Sequence, residues 1–475
     1  MARVSSRFIT ACGFLLLAAC RTEVSSLGVK VSLEEHRLSN GLRVILVEDH
    51  TVPTISYQTW YKVGSRDEVP GMTGLAHLFE HLMFKGTDRY GPKSFFDLLE
   101  ARGAEVNAFT TRDYTSYYVN TVPALLDQII DLESDRMTGL KLDDTTLASE
   151  RMVVLEERKL RIDSQPVGLM QEAIWALAFR RHPYHWPVIG MPEDIISVPA
   201  EKIREFYRRY YHPGNAILVV AGDFKPDELF EKIKKAYGKI PRGQETERTK
   251  ITEFEQNEER RLNLYDEVAS EKFAHAYPIP SAHEEDAYAL DILATILFAG
   301  SQSRAHRDLV EEKKLTSDVA GVAYTPNEPG LFLISASMRT GHSATEAEEK
   351  LNALIRDVQE NGVTQEEIEK AVKQLTLQAI ENLKTHSGTA TLIGTVTTIL
   401  EKPERYADDL AKYTKVSRED VQRVAETYLQ PNKRSVVVLY PESKRPKPEV
   451  KADVSKKEKP KATVKKRARK KGTTS

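Results

Sequence analysis

Cysteine is nearly absent. The 475-residue chain has two, Cys12 and Cys20, both within the first twenty residues. No disulfide can tie the folded body, and no thiolate can bind a metal there, so any metal must be held by His, Asp or Glu. Net charge is nearly absent too. With 68 Lys and Arg against 70 Asp and Glu, the formal charge is -2 and gives no global sign of nucleic-acid binding. That balance hides an asymmetry, because the stretch from Pro441 onward is strongly basic and the rest of the chain is acidic. Long apolar runs are also missing. The run from Phe8 to Ala19 is too short to span a bilayer as a helix, and no second run of spanning length follows. An apolar content of 40% is enough for packed cores and too low for a polytopic membrane protein. The length exceeds one ordinary core and predicts two domains of roughly 200 residues each.

The first twenty residues read as an export signal. Arg3 and Arg7 give a positive start, a short apolar run follows, and Leu17-Ala18-Ala19-Cys20 resembles the bacterial lipobox. The expectation is a mature chain that begins at an acylated Cys20. It would be anchored at a membrane surface of the bacterial cell envelope, on the periplasmic or extracellular side. The competing reading is an ordinary signal peptide cut nearby.

From about Leu33 the pattern is globular. His36 to Asp49 reads as strand, Asn-Gly turn and strand, and Ile55 to Val63 as another strand. Gly71 to Lys85, Ser94 to Arg102, Leu125 to Thr138 and Asp143 to Ile162 look helical. Asn107 to Asn120 alternates and is rich in Thr and Tyr, which suits strands. Phe206 to Tyr211 closes a helix, and Ala216 to Ala221 is a short apolar strand. Strands and helices mix without regular alternation, which favours an α+β fold.

The chain also echoes itself. HLMFKGT (His81 to Thr87) is answered by TILFAGS (Thr295 to Ser301). YHPGNAILVV (Tyr211 to Val220) is answered by LQPNKRSVVV (Leu429 to Val438), and Leu142-Asp143-Asp144 by Val363-Thr364-Gln365. Nearly constant offsets predict a duplicated domain. The expected layout is an N-terminal domain over 33–238, a linker over 239–260, a homologous domain over 261–440 and a disordered basic tail over 441–475. The tail could meet anionic lipid, cell-wall polymer or nucleic acid, or simply be solvated.

The informative stretch is Gly74 to Phe84 (GLAHLFEHLMF). As a helix it carries His77 and His81 one turn apart on one face, with Glu80 bordering that face. Three ionisable groups in an apolar helix are costly unless paired or coordinated. H-x-x-E-H is the inverted zincin motif. A catalytic zinc needs a third ligand and an open position. In Asp143 to Ile162, helical spacing puts Glu150, Val153, Val154 and Glu157 on one face and turns Glu156 away, so Glu157 is the better ligand candidate. On that segment alone, a solvated charged helix is an equal reading.

These motifs resemble the pitrilysin or insulinase family of zinc metallopeptidases, which includes the mitochondrial processing peptidase. The spacing from His81 to Glu157 matches that family, as do GLAHLFEHLMFKGT, GAEVNAFTTRDYTSYY, HPYHWPVIG and YYHPGNAILVVAGDF. The resemblance spans roughly Leu33 to Tyr440. It implies two homologous α+β domains, each a mostly antiparallel sheet packed with helices, forming one half of a clamshell. It implies one zinc per chain held by His77, His81 and Glu157. Glu80 would activate a zinc-bound water, Glu150 would support the site without ligating, and Asn107 and Ala108 would lie on the strand that meets the substrate backbone. Active single-chain relatives also supply an Arg and a Tyr from the second domain. Here Val310 and Ser317 stand at those places, unless the alignment slips to Tyr324. The expected function is a zinc-dependent endopeptidase acting on peptides or unfolded segments. It would be the zinc subunit of a pair, a heterodimer in preference to a homodimer. A non-catalytic subunit of the same fold is the alternative, and a nucleic-acid role is weak.

Overall fold

The computed structural model describes residues 20–26, 29–246, 248 and 250–446. The stretch before Cys20, expected to be an export signal, and the basic stretch from 447 lie outside the described residues. Twelve strands are described among them. The first seven are β1 (Cys20–Ser26), β2 (Val29–Arg37), β3 (Arg43–Glu48), β4 (Ile55–Tyr61), β5 (Glu105–Thr110), β6 (Thr115–Thr121) and β7 (Ala216–Gly222). They form one sheet in the order β1-β2-β3-β7-β4-β6-β5. The other five are β8 (Arg260–Asp266), β9 (Lys272–Ile279), β10 (Thr316–Tyr324), β11 (Gly330–Met338) and β12 (Ser435–Pro441). Their sheet runs β10-β11-β9-β12-β8.

Read from β8, the second sheet repeats the order β3-β7-β4-β6-β5 of the first. In both, the single parallel contact joins the first strand of the set to the last, β3 to β7 and β8 to β12. Every other pairing is antiparallel. A parallel neighbour requires a long crossover, and in each half the intervening hairpin and helices supply it. The duplication expected from the echoes is therefore present in the topology. The echoed pair Asp143 and Thr364 are both helix N-caps, each accepting a backbone N–H three residues on.

The helices of the first half are α1 (Leu75–Leu82), α2 (Ser94–Leu99), α3 (Leu126–Gly139), α4 (Asp144–Arg158), α5 (Pro166–Ala178), α6 (Pro192–Ser197), α7 (Ala200–Tyr210) and α8 (Pro226–Tyr237). Those of the second are α9 (Asp286–Phe298), α10 (Ala344–Asn361), α11 (Gln365–Asn382), α12 (His386–Leu400), α13 (Arg405–Tyr413) and α14 (Arg418–Tyr428). Each sheet has one core with helices of its own half. The opposite faces are covered reciprocally. Met170, Ile174 and Trp175 of α5 pack on Ala274, Ala276 and Val437 of the second sheet. Ala390 and Ile393 of α12 pack on Ile45, Trp60 and Val219 of the first. The halves are thereby interlocked.

Three boundaries differ from expectation. Pairing begins before Leu33, because β1 and β2 form a hairpin joined at Ser26 and Val29. The stretch 239–260 is not a free tether. The Glu253 carboxylate accepts the backbone N–H groups of Arg180, Arg181 and His182 at 2.8–3.0 Å, and Arg260 already belongs to β8. Order also continues past Tyr440, where Pro441 pairs with Asp266 and Lys444 meets Glu271 at 2.5 Å. Composition turns basic at that point, but strand pairing runs to Pro441 and a second ion pair joins Arg445 to Glu442.

Candidate metal centre

Helix α1 starts at a tight crossing. Gly74 has a φ of +86° and Gly190 of +87°, and a Cβ on Gly190 would lie 2.4 Å from the Gly74 Cα. Both conformations favour glycine, and the contact has no room for a side chain. The open N–H groups of Gly74 and Ala76 donate to the buried carboxylate of Glu68 at 2.7 and 2.8 Å. An acid at a helix N-terminus is favourable, although burial pushes the Glu68 carboxyl well above the usual range. On the far side the Tyr117 hydroxyl donates to the Phe79 carbonyl at 2.9 Å. Anchored at its start and at Phe79, α1 presents His77 and His81 toward Glu157 of α4 and Glu80 toward Thr110 of β5.

Helix α4 is capped by Asp143, which accepts from the Thr146 N–H at 2.9 Å. Its buried residues are Leu147, Glu150, Val154 and Arg158. Val153 was expected on the inner face and is instead 45% exposed. At 100° per residue it stands about 60° from Glu150 on the side away from Val154, past the edge of the buried stripe. Glu156 is exposed, and Glu157 is half-buried on the inner side.

The two helices bring the expected donors together. Glu157 Oε2 lies 3.1 Å from His81 Nε2 and 3.8 Å from His77 Nε2. One donor atom from each of His77, His81 and Glu157 lies within 4.8 Å of the others, the one such trio among the described residues. Burial, then the neighbouring His81, pulls the His77 imidazole below its ordinary value. The hydrogen bond to His81 holds the Glu157 carboxyl below its own, against burial. A neutral His77 imidazole beside the ionised Glu157 carboxylate suits metal ligation, which requires deprotonated ligands. Two nitrogens and one oxygen converging from two helices fit a catalytic zinc site with an open position. His77 Nδ1 is buried without a protein partner.

Around the trio, Glu150 Oε2 faces His81 Nδ1 at 3.8 Å while Lys85 holds its other oxygen at 2.9 Å. Thr110 Oγ1 donates to Glu80 Oε2 at 2.6 Å. Burial raises the Glu80 carboxyl and the Thr110 bond opposes that rise. Arg161 Nη1 lies 3.0 Å from Glu157 Oε1. Thr110 and Arg161 were not singled out in the sequence, though Arg161 stands four residues after Glu157 on the same helical run, the spacing at which such pairs form.

His77, Glu80 and Glu157 open onto a cavity of about 910 Å³ between the halves. One wall carries Asn107, Ala108 and Thr110 of β5, and the facing wall carries Lys272, Asp318 and Ala320 of the second sheet. β5 is an edge strand, as expected for Asn107 and Ala108. In the second half α9 carries Asp291, Ala294 and Thr295 where α1 has His77, Glu80 and His81. Asp291 accepts from the Tyr413 hydroxyl at 2.6 Å, and Thr295 bonds back to the Asp291 carbonyl at 2.8 Å. Val310 is buried and Ser317 is exposed. Tyr324 packs edge-on against Trp175 at 5.5 Å. None of these three lines the cavity.

Comparison with known proteins places the chain in a family. The insulinase (peptidase family M16) profile matches residues 43–191, and the peptidase M16 inactive-domain profile matches residues 197–375. The zinc protease PqqE of Helicobacter pylori is 30% identical over 412 residues, which cover 86% of this chain and 93% of that protein. An uncharacterized zinc protease of Streptomyces coelicolor is 27% identical over 401 residues, covering 82% of this chain and 86% of its own. The crystal structure of a protease from Helicobacter pylori superposes with a TM-score of 0.83 at 30% identity, over 86% of this chain and 99% of that one. A peptidase M16 inactive-domain structure from Pseudomonas fluorescens shares the fold at a TM-score of 0.78 and 17% identity, over 86% and 98% of the two chains. By its matched profiles and by its identity to a zinc protease over nearly that protein's whole length, the chain belongs to the insulinase family of peptidases, family M16.

Proposed function

We propose that the chain is a zinc-dependent endopeptidase acting on peptides or unfolded segments, with His77, His81 and Glu157 holding one zinc and Glu80 as general base. The observation that carries this reading is the donor trio within 4.8 Å of one another, beside the carboxylate of Glu80, at a cavity edged by an open strand. Zinc held there would supply a Lewis acid that polarises the scissile carbonyl and acidifies water. Glu80, steadied by Thr110, takes the proton of the attacking water and returns it to the leaving amine. Glu150 faces the outer nitrogen of His81 and restrains that ring. At β5, the open edge of its sheet, an extended substrate adds beside Asn107 and Ala108 as a further strand, which brings its backbone to the site without demanding a sequence.

A non-catalytic subunit of the same fold is the second reading. Against it stands the retention of all four residues, His77, Glu80, His81 and Glu157. In the second half, Val310 and Ser317 leave the Arg and Tyr unsupplied, so the chain is the zinc subunit of a pair, completed by a homologous partner that carries them. The test is Glu80→Gln in the full chain. Zinc content should be unchanged, because no ligand is lost, and hydrolysis of an unfolded polypeptide should fall below detection. Undiminished hydrolysis, or loss of zinc, contradicts the assignment.

A further inference from the structure

Arg161 lies in a wide helical turn, Lys159–Asp163, that continues α4 beyond Arg158. Its guanidinium meets Glu157 Oε1 at 3.0 Å, while Glu157 Oε2 faces His81 at 3.1 Å and His77 at 3.8 Å. The two carboxylate oxygens are thus divided, one to the guanidinium and one to the imidazole pair. The backbone of the turn is pinned from the other side. A Cβ on Gly168 of α5 would lie 2.7 Å from the Arg161 carbonyl oxygen and 2.9 Å from the Ile162 Cα, so α5 rides directly on the turn. The Arg161 side chain itself is 74% exposed at the cavity.

A terminal carboxylate torsion is broad and roughly two-fold, so an unrestrained Glu157 could offer either oxygen or both. A guanidinium stays charged at every working pH and is rigid, which makes it a fixed clamp for one oxygen. An exposed ion pair of this kind contributes little to folding, yet partners of metal ligands commonly set metal affinity. We propose that Arg161 is a positioning residue that holds Glu157 as a one-oxygen ligand, with Oε2 turned to His77 and His81. This inference rests on the zinc assignment above. Without Arg161, Glu157 is free to turn away or to bring both oxygens to the ion. In the first case affinity falls, and in either case the coordination sphere changes.

The measurement is metal binding by the full chain, with zinc by chelator competition and cobalt by its visible absorption. Arg161→Ala should bind zinc about ten- to a hundredfold more weakly, with a cobalt spectrum altered in intensity or position. Arg161→Lys, which keeps the charge but offers a single point contact, should fall between wild type and Ala. The metal-free thermal midpoint of Arg161→Ala should match that of wild type. If Arg161→Ala does not fold, the Lys variant carries the comparison. Equal zinc affinity and an unchanged cobalt spectrum in the variant overturn the role of Arg161 and leave the zinc site standing. A wild-type chain that binds neither metal overturns the zinc assignment itself.

Discussion

At the scale of residues, Asp291 is the most exposed to test outside the metal centre. It stands in α9 where His77 stands in α1, and burial pushes its carboxyl up to about 6 despite the hydrogen bond from Tyr413. An acid whose folded pKa lies above its unfolded value stays protonated in the folded state while the unfolded chain ionises. Stability therefore falls as pH rises from about 4 to about 6 and is flat beyond, by roughly 3 kcal/mol for a shift of this size. Asp291→Asn mimics the protonated form and keeps an acceptor for Tyr413. It should raise the unfolding midpoint at pH 8 and leave it nearly unchanged at pH 4, read by thermal or urea denaturation. An equal effect at both pH values would show that the carboxyl is not the cause. The site itself was legible where spacing along one helix decides it. His77, Glu80 and His81 share one helix by i,i+4 geometry, whereas Glu157 did not follow from its own segment, where a solvated charged helix was an equal reading, and rested on the family spacing. Glu68 and Thr110 were not legible, because each meets α1 from a different segment. No local pattern says that a Glu six residues before Gly74 folds back to cap the helix.

Among elements, most strands and helices follow from period and turn residues, such as the Asn40-Gly41 turn between β2 and β3, where Gly41 has a φ of +93°. The order of strands within the sheet did not follow. β7 lies between β3 and β4 although far from both in sequence, and periodicity fixes which face is buried without fixing the neighbour. The exchange of α5 and α12 was equally hidden. An amphipathic helix announces a buried stripe, not which sheet will cover it. This exchange makes Gly394 critical, since a Cβ there would lie 2.2 Å from the Trp60 ring. Trp60 is fully buried and cannot yield. Gly394→Ala should destabilise the chain by about 1–3 kcal/mol through overpacking, even though Ala is the better helix former by about 1 kcal/mol. A midpoint equal to or above wild type in urea would show that α12 sits more loosely than this packing implies.

For the whole molecule, duplication was legible from three weak echoes because their offsets are nearly equal, and the repeated five-strand order is its structural counterpart. On the proposed reading, function is divided unequally between the copies. The first carries the donor trio and the second offers a cavity wall, while Val310 and Ser317, at the places where the resemblance puts the Arg and Tyr, do not line the cavity. A missing oxyanion donor typically costs about 10²- to 10³-fold in rate. The isolated chain should therefore cleave unfolded peptides slowly, and a homologous subunit that carries the Arg and Tyr should raise kcat at least ~10²-fold. Full activity of the chain alone, with Tyr324 essential, would contradict that division. Everything in the catalytic reading depends on the metal, so zinc per chain by elemental analysis is the most direct measurement. Wild type and Glu80→Gln should each hold about one zinc, and His81→Ala essentially none, because a ligand is removed from a three-residue site. A zinc-free wild type after reconstitution, or a His81→Ala protein that retains a full equivalent, would contradict the site at the centre of this reading.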